Sequence, residues 1–258
     1  MEIGKEREVK VKSLQKALDI LNCFNKKNSW GVTELSEYLE LNKSNVHNIL
    51  STFTAMGYLR QDEETGKYKL GFAVYTLCHT LSDELIIGNI VQPYIQELSD
   101  WSGEQVYVGV PYEDELIYVN SSYPREAVNL MRPMMGVRAK MFCTGLGKAM
   151  LAYLPEEEQE RYLQREFPVY TEYTITDPEV LRNELKQIRA RGYAIDNMER
   201  DFGIKCVGEP IFNRQRKLEA AISISGPSLR FSQERIPILA EKLHETVLKI
   251  EKRLQLYI

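Results

Sequence analysis

The sequence has little of what would tie it to an oxidising compartment, a membrane or a metal. Its four cysteines, Cys23, Cys78, Cys143 and Cys206, are far apart and form no CxxC pair. A disulfide framework is therefore not expected. Only three histidines occur, His47, His79 and His244, and none adjoins a cysteine. No Cys/His zinc site, other metal site or cofactor is called for. No apolar run approaches the roughly 18 residues of a membrane-spanning helix. The opening MEIGKEREVKVKS is charged throughout, without the apolar stretch of a secretory signal. We expect a cytoplasmic protein that does not engage membranes. Strong positive charge is missing too, because the formal net charge is −4. That excludes a protein that coats nucleic acid indiscriminately, but not one that meets DNA through a local patch.

What is present suits an ordinary globular chain. Its 258 residues, 43% of them hydrophobic, allow one large or two smaller domains with real cores. Residues 1–71 hold 11 Lys/Arg against 10 Asp/Glu, whereas the whole chain holds 33 against 37. Any nucleic acid is thus expected at the N-terminal end. There, a basic arm (Lys5, Arg7, Lys10, Lys12) precedes a first helix expected from an N-cap at Ser13, with Leu14, Ala17, Leu18, Leu21 and Phe24 forming an apolar stripe. A short second helix follows Thr33. A third, after the Glu40-Leu41-Asn42 turn, turns Val46, Ile49, Leu50 and Phe53 inward and stops at Gly57. Tyr58–Gln61 and Lys67–Leu70, joined by a polar turn, read as a hairpin.

Three short helices and a hairpin form the pattern of a winged helix-turn-helix. The outward face of the third helix carries Lys43, Ser44, Asn45, His47, Asn48, Ser51 and Thr52, with no acid between Asn42 and Gly57. Asn can pair bidentately with adenine, and Ser or Thr reaches bases or phosphates. Lys43 and the arm suit phosphates, and the wing residues Arg60, Lys67 and Lys69 suit the flanking backbone. A solvated three-helix unit would show a polar face too. The acids Asp62 to Glu64 at the wing tip count against close contact there.

Residues 72–88 and 90–101 read as helices. A hairpin follows over 104–122, turning at Tyr112-Glu113-Asp114. Further helices start at Pro155 and at Asp177-Pro178, strands are expected at 193–197, 206–212 and 219–225, and a final amphipathic helix at 233–256. Interspersed strands, hairpins and helices indicate α+β architecture. TGLGKA is no phosphate-binding loop: Phe142 stands where its first glycine belongs, and Ala149 replaces the Ser/Thr after the lysine.

The segment VTELSEYLELNKSNVHNILSTFTAMGYL resembles the DNA-binding module of the IclR family of bacterial transcription regulators. The resemblance continues through TGLGKAMLAYLP (144–155), RGYAIDNMERDFGIKCVGEPIFN (191–213) and AAISISGPSLRF (220–231), in family order. It implies a winged helix-turn-helix over 1–71, a linker helix over 72–88, and a GAF-like effector-binding domain with an antiparallel sheet over 89–258. It also implies dimers that pair into tetramers on double-stranded operator DNA. One position departs: Asn48 stands where the family usually carries an arginine, which changes what the helix can read.

The resemblance further implies a pocket for a small organic acid, formed by Gly145, Leu146, Asp196, Cys206, Ser223 and Ser225. The N–H groups of Gly145 and Leu146, ahead of the apolar run Ala149-Met150-Leu151, suit a carboxylate. Ser223 and Ser225, two apart on a strand, share a face. Cys206 supplies a small, weakly polar wall. Asp196 would accept from a ligand hydroxyl or from a backbone amide. Two rivals are an enzyme using Cys206 with Asp196, which lacks a histidine near either in sequence, and a redox sensor using Cys143 and Cys206, whose only basic neighbour is Lys205.

Overall fold

A computed structural model describes residues 9–84, 86–125 and 134–256. The chain divides into two compact units, Glu6–Glu84 and Leu85–Ile258. The first contains α1 (Lys12–Cys23), α2 (Val32–Tyr38), α3 (Lys43–Ala55), the antiparallel hairpin β1 (Leu59–Gln61) and β2 (Tyr68–Leu70), and α4 (Phe72–Glu84). Its core joins Ile20, Cys23 and Phe24 of α1 to Leu35, Val46, Leu50, Leu59 and Tyr68. Trp30 ties the wing to the helices by exchanging backbone hydrogen bonds with Tyr68 at 3.0 and 2.8 Å. Gly57, at φ 77°, ends α3 in the left-handed region that glycine adopts freely.

Two expectations about α1 need correction. Its N-cap is Val11, which has no side chain that can cap, and Ser13 already lies inside the first turn. The buried face also centres on Ile20, Cys23 and Phe24, leaving Leu14 and Leu18 about half exposed at 57% and 47%. A stripe at helical spacing shows which residues share a face, but not how far along the helix its neighbours reach.

The second unit is built on a six-stranded, wholly antiparallel sheet of order β5-β4-β3-β8-β7-β6. The strands are β3 (Gln105–Tyr112), β4 (Glu115–Ser122), β5 (Arg138–Lys140), β6 (Ala194–Asn197), β7 (Ile204–Phe212) and β8 (Leu218–Pro227). Alternation along each strand sends side chains to opposite faces. Val106, Val108, Val207, Ile222 and Ile224 pack on one face against α5 (Ile86–Ser102) and α9 (Arg235–Leu254). Tyr107, Leu116, Tyr118 and Ala221 lie on the other, with α6 (Gly145–Leu151), α7 (Glu156–Leu163) and α8 (Pro178–Arg191). Asp177 caps α8 as its Pro sequel predicts, accepting from the N–H of Glu179 at 2.7 Å, and Gly192 closes that helix at φ 91°. The three-residue β5 had no sequence signal, being too short to show a period.

Candidate functional site

In the first unit, α3 buries Val46 and Leu50, half-buries Ile49 and Phe53, and leaves Lys43, Ser44, Asn45, His47, Asn48, Ser51 and Thr52 exposed. The exposed set forms one polar face because its members alternate with the buried ones at helical spacing. The Thr52 hydroxyl donates back to the Asn48 carbonyl at 2.9 Å, so its lone pairs stay open to a donor. Arg60 is exposed on β1.

The wing lysines are already engaged. Lys67 and Lys27 both donate to the Glu34 Oε1, at 3.0 and 2.9 Å, while the Glu34 Oε2 accepts the Gly31 N–H at 2.8 Å. That backbone donor and the two ammonium groups lower the Glu34 carboxyl to about 2. Lys69 pairs with Asp62 at 2.6 Å and, with Thr65, pushes its carboxyl well below the ordinary range. Asp62, one of the wing-tip acids that counted against close DNA contact, thus neutralises a cation of the same wing.

The second unit has a cavity of about 350 Å³, open to solvent on one side, on the α6 face of the sheet. It is lined by Gly145, Leu146, Asp196, Cys206, Ser223 and Ser225, which come from α6, β6, β7 and β8, so all six residues selected from sequence meet there. Register explains the convergence. Asp196 pairs with Cys206, Cys206 with Ser225, and Ser223 with Tyr107. One row therefore crosses the sheet from acid to thiol to hydroxyls to aromatic rings. Ser223 and Ser225 lie 3.4 Å apart, hydroxyl to hydroxyl.

Glycines bring α6 down onto this row. A Cβ on Gly208 would sit 2.5 Å from the Gly145 carbonyl oxygen, and one on Gly147 would sit 2.2 Å from the Met141 Cα. Neither approach is possible for a larger residue. Thr144 caps the helix by accepting the Gly147 N–H at 3.0 Å. Gly145 and Leu146 form its first turn, where N–H groups have no intrahelical acceptor.

The chemistry of the floor is set by burial. Asp196 accepts the Glu199 N–H at 2.8 Å and a weak Cys206 Sγ contact at 3.7 Å. Of the two roles open from sequence, the backbone-amide partner is present. Burial, reinforced by the neighbouring Glu199 carboxylate, pushes the Asp196 carboxyl up to about 7. Lys148, the lysine of TGLGK, turns into the interior and pairs with Glu199, with Glu184 at 3.9 Å. Lys148 and Glu199 are 1% and 3% exposed, so this pair locks the TGLGK segment to the loop after β6. Burial raises the Cys206 thiol well above its ordinary value and the Cys143 thiol to about 12. Burial thus holds both further from the reactive thiolate form, which weighs against a redox sensor or a covalent enzyme at these positions.

Reasoning from sequence missed Tyr107, Tyr118, Met134, Thr144, Arg200, Asp201 and Ile204 in the lining. The alternation in VYVGV marks Tyr107 as facing opposite to its valines, a usable signal. Arg200 gave none.

A helix-turn-helix with an exposed polar third helix in one unit and a ligand-sized cavity in the other define the class of ligand-responsive DNA-binding regulators. Comparison with known proteins gives the particular family. Residues 13–63 match the IclR helix-turn-helix domain, and residues 79–252 match the C-terminal region of the bacterial transcriptional regulator IclR. The chain belongs to the IclR family. It is 32% identical to the HTH-type transcriptional regulator KdgR of Escherichia coli over 95% of this chain and 93% of that protein. It is also 32% identical to the transcriptional repressor IclR of Escherichia coli, covering 88% of this chain and 84% of that protein. Among solved structures, the Thermotoga maritima IclR is 30% identical with a TM-score of 0.78, covering 95% of this chain and 99% of that one. An IclR homologue from Microbacterium hydrocarbonoxydans complexed with 4-hydroxybenzoate has the same fold, with a TM-score of 0.83 at 23% identity over 95% and 99% of the two chains. The protein is thus a DNA-binding transcription regulator with a C-terminal effector domain, in a family of regulators and not of enzymes.

Proposed function

We propose that the effector is a small organic acid held in the cavity of the second unit, and that its binding controls how the protein engages operator DNA. The observation that carries this is the convergence of Gly145, Leu146, Asp196, Cys206, Ser223 and Ser225 on one cavity, with the serine hydroxyls in the middle of a row that runs from Asp196 to Tyr107. A preformed pocket of this size with few polar groups is the ordinary form of a ligand site. The 4-hydroxybenzoate bound to the Microbacterium homologue is an acid of fitting chemistry. A GAF-like sensor of this kind needs no cofactor.

On the DNA side, α3 lies in the major groove. Asn45 and Asn48 read bases with Ser44, His47 and Thr52 beside them, and Lys43 holds a phosphate. Arg60 reaches the flanking backbone, with Lys67 at the outer edge of the surface. The protein acts as a dimer, or a dimer of dimers, on a palindromic or pseudo-palindromic site. Leu14 and Leu18 of α1 and Phe72, Tyr75, Leu77 and Leu81 of α4 are exposed apolar residues on one small unit, and self-association would cover them. Working on chromosomal DNA places the protein in the cytoplasm. An effector acts only to the extent that it favours one dimer arrangement over another.

The test is a thermal-shift screen of small carboxylic acids, followed by operator binding with the best one. We expect a ligand that raises the unfolding temperature and changes operator affinity. Ser223→Trp should abolish both responses while leaving operator binding intact. An unchanged titration in that variant would refute the pocket.

A further inference from the structure

Arg200 lines the cavity from the loop after β6, and its side chain is only 18% exposed. Its nearest acid is the adjacent Asp201, whose Oδ2 lies 3.8 Å from the guanidinium, too long for a hydrogen bond. The Asp201 side chain is itself 61% exposed and so largely hydrated. Among the described residues, Arg200 donates no hydrogen bond. Its positive charge nonetheless reaches the cavity wall, where it opposes the burial effect on the Tyr118 hydroxyl and the Cys143 thiol. Arg200 is therefore a largely desolvated cation with a planar fork of donors still to be spent.

The position matters as much as the charge. Ser223 and Ser225 stand on β8, whereas Arg200 follows β6, two strands away in the order β8-β7-β6. A carboxylate held by the Ser223 and Ser225 hydroxyls and the first-turn amides of α6 leaves Arg200 to meet a second group on the same ligand. Asp196, on β6, is raised to about 7, so it carries a full negative charge only above neutral pH and opposes a second anion less than an ordinary carboxylate would.

Resting on the acid-effector reading above, we propose that Arg200 makes the cavity select acids with a second anionic group, so that dicarboxylates bind in preference to monocarboxylates of equal length. A guanidinium grips a carboxylate through two parallel hydrogen bonds, and no other cation lines the cavity among the described residues.

The test titrates the full chain at neutral pH with succinate, glutarate and adipate, and with butyrate, valerate and hexanoate as their partners. At the fitting length, the dicarboxylate should bind roughly tenfold or more tightly than its partner, the scale of a charged hydrogen bond. Arg200→Gln should erase that gap by weakening the dicarboxylate far more than its partner, and Arg200→Lys should retain part of it. Ligand-free unfolding temperatures should be close, because Arg200 makes no hydrogen bond to the described residues that the fold would lose. A gap that survives in Arg200→Gln, or monocarboxylates that bind wild type as tightly as dicarboxylates, would overturn the assignment. If neither series binds, the acid-effector reading falls and this one with it. Monocarboxylate binding without discrimination would sink only the role of Arg200.

Discussion

The two units place chemistry in opposite ways. The first keeps its polar groups on an open helix face and settles its ion pairs at the surface, as with Glu34 between Lys27 and Lys67. The second buries acids, thiols and a lysine and lets the protein set their charge, as with Asp196, Cys206 and the Lys148–Glu199 pair. A surface that meets DNA works by matching groups already hydrated and charged. A cavity that senses a small molecule can make a ligand's arrival expensive or favourable through groups held away from water. The contrast predicts large energetic effects of single changes in the second unit and graded ones in the first.

The sharpest way to break it is Lys148→Met. Removing the cation strands Glu199, one of whose carboxylate oxygens, Oε2, has no hydrogen-bond partner already. The second unit should lose about 3–5 kcal/mol in urea unfolding. Adding Glu199→Gln to that variant should recover much of the loss. A small effect of Lys148→Met would show that the interior tolerates charge as the surface does.

Next, Asn45→Ala should cost about 1–3 kcal/mol at one operator position and relax base preference there. Lys43→Ala should weaken binding on all sequences alike and reduce the salt slope by about 1. Equal losses on operator and random DNA in both variants would contradict this division of labour.

A pH titration of effector binding separates the units further. The Asp196 carboxyl is raised to about 7, so its neutral form dominates below that pH and its anion above. An acid effector, anionic throughout this range, should bind more weakly as pH rises past 7, by up to about tenfold per pH unit, and level off below. Asp196→Asn should flatten the profile. A profile that is already flat in wild type would show that the ligand does not approach Asp196. The smallest expected effect is Lys67→Ala on operator affinity. Its charge is shared with Glu34, an exposed pairing of the kind worth about 0–1 kcal/mol. A loss as large as that of Lys43→Ala would mean the wing releases Lys67 to the DNA.

Legibility in the sequence followed the same divide. The α3 face was readable because helical spacing alone separates Val46 and Leu50 from Asn45 and Asn48. The hairpin, the α8 cap and the long strands were readable from local turn chemistry and alternation. The half-buried α1 stripe was misread, since burial of Leu14 and Leu18 depends on what lies opposite them. Arg200 and Lys148 were illegible for a related reason. One lysine in TGLGK and one arginine in NMERD carry no mark of whether they face water, a cavity or an acid.

The sequence by itself determined the family, the order of helices and strands, and six residues that the resemblance assigns to the pocket, because these are properties of local pattern and motif. Only the tertiary structure decided which charges are buried, which cation faces the cavity and which lysines of the wing are already paired. Those outcomes depend on distances between segments far apart in the chain. Burial and Coulomb attraction act through space, and no one-dimensional pattern records them.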